Sequence, residues 1–453
     1  MARKLRSALR KIPADTWFIP LVYATAALLF GFTVPRLASV VLPGFVSTVS
    51  VNAAIGIYSS IASGMIALTG IVFSLTFLMV QFSATAYSVR LVHWIARDRV
   101  LSHAMGVFTA TFLYALAALA WVDRGGTGRV PLVGIGVVAV LLIASIIMFI
   151  SLIQRVSMLQ VSRMLIFTGD QGRDIIEHLY PPLDTPATPS SAETSQAPCV
   201  QTVFHHGHPL IVQRVDIPAL MHIVGGASCV IDMPTAVGDT VFESTAVLRV
   251  LGAPGPLAEE ALRGAIELGT ERTFEQDPKY AIRLLVDIAI KALSPAINDP
   301  TTAVQALDQI QDLLIRLGRR RLEIGAYHDA AGRLRLLIPY PSWEDFLRVA
   351  FDEIRFYGAS SIQVMRRMQS LISELLDILP EERRAALRYW QERLQSTIER
   401  TFTDQQDKMD ASAADRQGLG SSHRKAESNS SESIASAPSH GPLARDDRAV
   451  ARR

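Results

Sequence analysis

The chain has 453 residues, 49% of them hydrophobic and 19% charged, with a formal net charge of +2 and only two cysteines. So small a charge excess excludes the basic footprint of a nucleic-acid binder, and two cysteines exclude a disulfide framework. From Leu37 to Val89, 53 residues pass without one Asp, Glu, Lys or Arg, far more than the ~20 apolar residues that cross a bilayer once, so the chain is an integral membrane protein.

A basic N-terminus (1–16) carries Arg3, Lys4, Arg6, Arg10 and Lys11. The long apolar run divides at Pro43-Gly44 into spans over about 17–42 and 53–83. Two more charge-free blocks, 100–122 and 130–154, flank a polar turn and read as a helical hairpin. The pattern predicts a four-helix transmembrane domain over 17–155. The competing reading of the N-terminus, a signal peptide, suffers from the length of the run and the want of a small-residue cleavage site. Arg90, Arg97, Arg99, Arg155 and Arg163 follow spans two and four, whereas the outer loops hold only Arg124 and Arg129 against Asp123. Short basic loops stay in the cytoplasm, so both termini are expected there.

A membrane-exit helix is expected over 156–180, ended by Pro181-Pro182, and a Pro-rich linker over 181–199. Residues 200–252 change character: β-branched runs at 210–215, 229–233 and 240–250 predict a small β module, with a turn at Gly238-Asp239. Its strand–turn–strand pattern is that of a barrel-sandwich module of the biotinyl type, without a lysine to carry a prosthetic group. Residues 253–403 predict a helical module with helices over 257–318, 343–379 and 381–402, and a β-hairpin from 322–327 and 334–338. The fold class is thus an α-helical membrane domain followed by a cytoplasmic α+β region. Residues 404–453, rich in Ser and Ala with eight acidic and eight basic side chains, are expected to form a disordered tail.

Span two carries small or polar residues at three- and four-residue spacing: Gly56, Ser60, Ser63, Ala67, Gly70, Ser74, then Gln81 and Ser88. Such a seam lets helices approach closely; the sharper reading is that copies of it line a hydrated path, with Ser74 and Gln81 offering hydrogen bonds to ions. No Asp, Glu or Lys lies within the spans to favour an ion relay.

The most informative motif beyond the spans runs from Asp287 to Pro300. Ser294-Pro295 ends one helix. Asp299 accepts from the first amides of the next, with Pro300 at the first helical position. Asn298 and Asp299 therefore read as capping residues, and Asp287 and Lys291, four apart, as an intrahelical pair. His205, His206, His208 and His222 with Cys199 and Cys229 match no recurrent zinc spacing and read as loop or surface residues. Arg319-Arg320-Arg321 reads as a solvated run, or as a contact for anionic headgroups if it lies near a bilayer.

Thr69–Leu75 in span two, Arg214-Val215-Asp216, Leu293–Ala303 and Glu353–Gly358 together resemble an uncharacterised bacterial membrane-protein family, DUF2254. The similarity extends over about 17–402. Two departures stand out: Val89 where the family usually has proline before Arg90, and Ala296 in place of its glycine, which implies that no left-handed backbone is needed at 296. The resemblance implies four spans and a cytoplasmic domain in a bacterial inner membrane, and it supplies no activity. No phosphate loop, nucleophile elbow or metalloprotease motif occurs, and neither cofactor nor metal is expected. The leading expectation is an oligomeric channel or transport-related protein, with the bilayer and further copies as partners and a cytoplasmic regulatory domain. The alternative is a membrane-anchored sensor or scaffold. A membrane enzyme using Asp287 or Asp299 is a third option.

Overall fold

The computed structural model describes residues 18–41, 48–86, 99–122, 129–157, 161–185, 197–226 and 229–421. The chain forms two units, Met1–Thr168 and Gly169–Arg453.

The first unit is helical: α1 (Phe18–Val41), α2 (Val51–Ala86), α3 (Arg99–Leu119) and α4 (Leu132–Ser157). Three described segments, Val51–Leu78, Val100–Leu119 and Leu132–Gln154, are long and apolar enough to cross a membrane; the apolar part of α1, Phe18–Val34, is shorter. Two short strands, β1 (Thr48–Ser50) and β2 (Arg129–Pro131), pair antiparallel, which holds the α1–α2 and α3–α4 connections together at one end of the bundle. Helix α3 is the hub. It packs on each of the other three, and its Phe108, Tyr114 and Ala115 are buried.

Small residues set the α1–α3 approach. A Cβ on Gly31 would lie 2.6 Å from the Ala117 Cβ, and one on Gly106 would lie 2.6 Å from the Tyr23 ring. With little hydrophobic drive between helices in lipid, such close backbone approach is what holds a bundle. Gly106→Leu is accordingly expected to push Tyr23 off α3 and to destabilise the detergent-solubilised protein by roughly 1–3 kcal/mol, the usual cost of overpacking. Gly136→Leu, where the space is open, should leave the thermal transition unmoved; equal shifts in both would contradict the α1–α3 packing.

Following α5 (Val161–Leu179), the second unit builds two sheets. Its elements are β3 (Cys199–Phe204), β4 (Leu210–Val215), α6 (Ile217–Gly225), β5 (Val230–Asp232), β6 (Thr240–Val241), β7 (Ala246–Leu251), α7 (Glu259–Gly264), β8 (Ile266–Gly269), α8 (Pro278–Ala292), α9 (Pro300–Gly318), β9 (Ala326–His328), β10 (Leu334–Leu337), α10 (Trp343–Tyr357), α11 (Ile362–Ile378), α12 (Glu381–Thr401) and α13 (Gln405–Ser412). One sheet has the order β3-β7-β5-β10-β9 and the other β6-β4-β8. All described pairings are antiparallel except β10 on β5. The sheets bury Val203, Val212, Ile231, Val241, Leu248, Val250 and Leu336 with Leu220 of α6.

Four expectations are corrected here. The barrel-sandwich shape is absent: these are two open sheets, and the module is not self-contained, because β10 returns from a hundred residues downstream to cover the second edge of β5. The stretch 257–318 contains β8 as well as three helices. The helix expected over 343–379 breaks into α10 and α11, where Gly358 N bonds the Ile354 carbonyl and the Ser361 hydroxyl caps Val364 N. Residues 404–421, assigned by composition to a disordered tail, fold back on α11 and α12. Asp404 caps α13, Arg366 pairs with Asp410 at 2.9 Å, and Asp415 is buried while accepting from the amides of Gln417, Gly420 and Ser421. The tail from 422, the N-terminus and most of the Pro-rich linker lie outside the described residues.

Helix starts in this unit follow from local chemistry. Asp277-Pro278 and Asp299-Pro300 each place a carboxylate acceptor before a proline that needs no partner for a missing N–H. Ser342 and Asp345 form a reciprocal capping box on α10.

Candidate functional site

In a helix at 100° per residue, the seam of α2 and its buried face point about 170° apart. The buried face is Ala54, Tyr58, Ala62, Met65 and Val72, packed on Ala110, Tyr114 and Phe108 of α3 and Val138 of α4. Gly56, Ser60, Ser63, Ala67, Gly70, Ser74 and Gln81 are all exposed, and a Cβ added at Gly56 or Gly70 would meet nothing within 4 Å. Ser88 lies outside the described residues. Gly56 and Gly70 therefore take no part in packing among the described residues. The members of the seam fall on two interleaved series, 56/63/70 and 60/67/74/81, each repeating every seven residues, the period of a left-handed helix pair. Bulky Ile66, Ile71, Phe73 and Phe77, also exposed, flank it as ridges beside a groove.

A titratable group that is neither acid nor lysine sits one turn into α3. The Nδ1 atom of His103 lies 3.3 Å from the Tyr23 hydroxyl of α1, with the rings edge to face at 5.9 Å. A lone histidine in an apolar run was the available signal. Deeper in the bundle, Thr111 and Ser145 bond each other at 2.9 Å and both reach the Leu141 carbonyl, so these hydroxyls are satisfied within helix packing.

In the second unit the turn between α8 and α9 is a connected set of caps. Asp299 accepts from Thr302 N at 3.1 Å and from the Thr302 hydroxyl at 2.6 Å, while its own N–H donates to the Ala292 carbonyl. Asn298 takes the left-handed conformation, φ +51°, and Ala296 does not. Pro295, Ala296, Ile297 and Asn298 are exposed, and Ser294 and Pro300 are half-buried. The Asp287 carboxylate is held by Arg283 at 2.6 Å. Arg283 also forks onto both oxygens of Glu353 on α10, at 2.7 and 2.8 Å. Sequence spacing drew attention to Lys291, half-buried on the same helix, and passed over Arg283, which is equally four residues from Asp287; its second partner, Glu353 on α10, is invisible to an i,i+4 rule.

His205, His206 and His208 lie in the 204–208 loop, and His222 in the last turn of α6. His205 is buried with Nε2 on the His208 carbonyl at 2.8 Å, and His206 Nδ1 meets Glu243 at 3.0 Å. The Gly207 amide, then His206, holds the Glu243 carboxyl below its usual range. No group of three His, Cys, Asp or Glu able to hold a metal occurs among the described residues. Of the basic run, Arg320 donates to the Tyr180 carbonyl at 2.8 Å and Arg321 to the Thr185 carbonyl at 3.0 Å, so two of the three arginines fasten the segment that follows α5.

The family described as "Predicted membrane protein (DUF2254)" matches residues 14–374. Uncharacterized proteins of Mycobacterium bovis and Mycobacterium tuberculosis are each 29% identical over 369 residues, covering 78% of this chain and 70% of theirs. No solved structure matches the chain.

Proposed function

We propose, for a chain that belongs to the DUF2254 family of predicted membrane proteins, that it acts as an oligomeric channel or transport-related protein of a bacterial inner membrane. In this reading α1 to α4 are four spans, both termini are cytoplasmic, and the unit from Gly169 is a cytoplasmic regulatory part. The observation that carries it is the α2 seam. A helix face meant only for lipid has no use for glycines and serines, and among the described residues this one lies opposite the face of α2 that packs on α3 and α4. A second copy of α2 is its natural partner, and in a ring of copies the hydroxyl of Ser74 and the amide of Gln81 face a shared path. Four spans are supported by the close fit of α1 on α3 and by the β1–β2 ribbon, which gathers both interhelix connections at one end. The cytoplasmic placement of the termini is supported by the basic residues at 3–11 and 90–99.

Cysteines placed singly along α2, in a chain freed of Cys199 and Cys229, test the assembly in native membranes. Crosslinked pairs are expected at Ser60, Ala67 and Ser74, with little at Ala54 or Met65 on the opposite face. In proteoliposomes, Ser74→Leu or Gln81→Leu is expected to reduce ion flux to background. Crosslinks at the seam in vesicles that stay tight at every voltage and osmotic load would give the alternative, a membrane-anchored scaffold or sensor. An absence of seam crosslinks would remove both readings.

A further inference from the structure

A cleft of about 460 Å³ lies between α10 and α12 in the second unit. That is within the size range of small-molecule sites. Helix α10 supplies Glu344, Arg348 and Asp352, spaced four apart and so stacked along one face. Helix α12 supplies Tyr389, Trp390 and Arg393, and room beside them where Ala386 carries no larger side chain.

Half of this cleft is already paired and rigid. The Trp390 ring is buried, held edge-on by Phe351 and Tyr389, each 5.7 Å away. Arg393 lies 5.3 Å over that ring and donates to the Tyr389 hydroxyl at 2.9 Å and to Asp352 at 3.3 Å. Asp352 also receives Arg355. The other half is open. Glu344 and Arg348 are exposed, and neither side chain has a hydrogen-bond or ion-pair partner among the described residues; Arg348 acts on the neighbouring Asp345 only through its field, which helps to hold that carboxyl down.

The charge pattern selects the ligand. Two carboxylates and two guanidiniums make the lining neutral overall, and the two uncommitted charges are one of each sign, a helical turn apart. A nucleotide would bring several negative charges to a site with one open arginine beside an open glutamate. A simple cation would meet Arg348. A small zwitterion satisfies both at once. We propose that this cleft binds a free α-amino acid with an aromatic or branched aliphatic side chain. Its ammonium pairs with Glu344, its carboxylate with Arg348 in the bidentate geometry a guanidinium offers, and its side chain lies across Tyr389 and Trp390. This assignment is independent of the channel reading: a scaffold with this cleft binds the same ligand.

The test is equilibrium dialysis of radiolabelled L-phenylalanine and L-leucine against the full-length protein in detergent. Saturable binding with Kd below about 1 mM is expected for at least one of them. Arg348→Gln and Glu344→Gln should each weaken it about tenfold or more, the scale of a lost charge-assisted hydrogen bond, and Tyr389→Ala should weaken it also. Glu344 and Arg348 are exposed and unpaired, so these two variants should keep the parental thermal transition. N-acetyl-L-phenylalanine amide, with neither charge, should not compete. The proposal is overturned if neither amino acid binds saturably, if binding survives both Gln substitutions unchanged, if the blocked amide competes as well as the free amino acid, or if ADP alone binds in an Arg348-dependent way.

Discussion

Gly238→Ala is expected to destabilise the second unit by about 3 kcal/mol, through one added methyl group. Gly238 sits at φ +91°, a backbone state that costs an L-residue about 1 kcal/mol or more. The new Cβ would also lie 2.4 Å from Asp277 Oδ2 and 2.9 Å from Arg272. Asp277 is almost wholly buried, pairs with Arg272 at 2.5 Å, and caps α8 through Tyr280 N at 3.2 Å. Burial pushes its carboxyl up, against the pull of the Arg272 guanidinium. Moving Oδ2 to admit a methyl therefore disturbs an ion pair, a helix cap and a sheet turn together, with overpacking adding about 1–3 kcal/mol. For a unit of this size the melting midpoint moves roughly 2–4 °C per kcal/mol, hence a fall of ~6–12 °C. Gly255→Ala, with open space around it, serves as the control in the same calorimetric scan. A Gly238→Ala transition within a degree of the parent would refute this account of the turn.

Arg283→Met should cost about 2 kcal/mol and uncouple α8 from α10. The guanidinium makes three contacts with two carboxylates on different helices, and its loss strands Asp287, which is only 12% exposed, from this partner. Removing one member of a fully buried pair costs about 3–5 kcal/mol; the 40% exposure of Glu353 reduces that figure through solvent screening. Arg283→Lys should recover less than half of the loss, because one ammonium cannot fork onto both Glu353 oxygens. A double-mutant cycle with Glu353→Gln isolates the interhelix term, expected at about 1–2 kcal/mol. A coupling near zero would mean that apolar packing alone joins these helices.

The parts of the chain legible from sequence are those governed by local rules. Long charge-free runs mark membrane helices because lipid admits no unsatisfied backbone and few charges. Asp299-Pro300 marks the start of α9 because a carboxylate and a proline suit a helix N-terminus wherever it lies. The strand at 210–215 shows in its β-branched residues. Elements that need a distant partner were not legible. The β9–β10 hairpin is legible, expected over 322–327 and 334–338 and found at Ala326–His328 and Leu334–Leu337, but nothing near Leu336 indicates that it completes a sheet with Ile231. Strand β8 hides among helices because Ile266 to Gly269 becomes a strand only against β4. Composition assigned 404–421 to a disordered tail, since the buried Asp415 and the Arg366–Asp410 pair depend on α11 being present to receive them.

The α2 helix shows both sides of this division. Its length, its apolar character and the seven-residue repeat of small residues are properties of sequence alone, because periodicity places side chains on faces whatever surrounds them. Which face meets protein is not. Ala54, Ala62 and Met65 on one side are about as apolar as Gly56, Ala67 and Gly70 on the other, so hydrophobicity cannot choose between them in lipid. The choice falls to shape: Tyr58 and Val72 have a fitted surface on α3 and α4 to enter, and the small-residue seam is left outward.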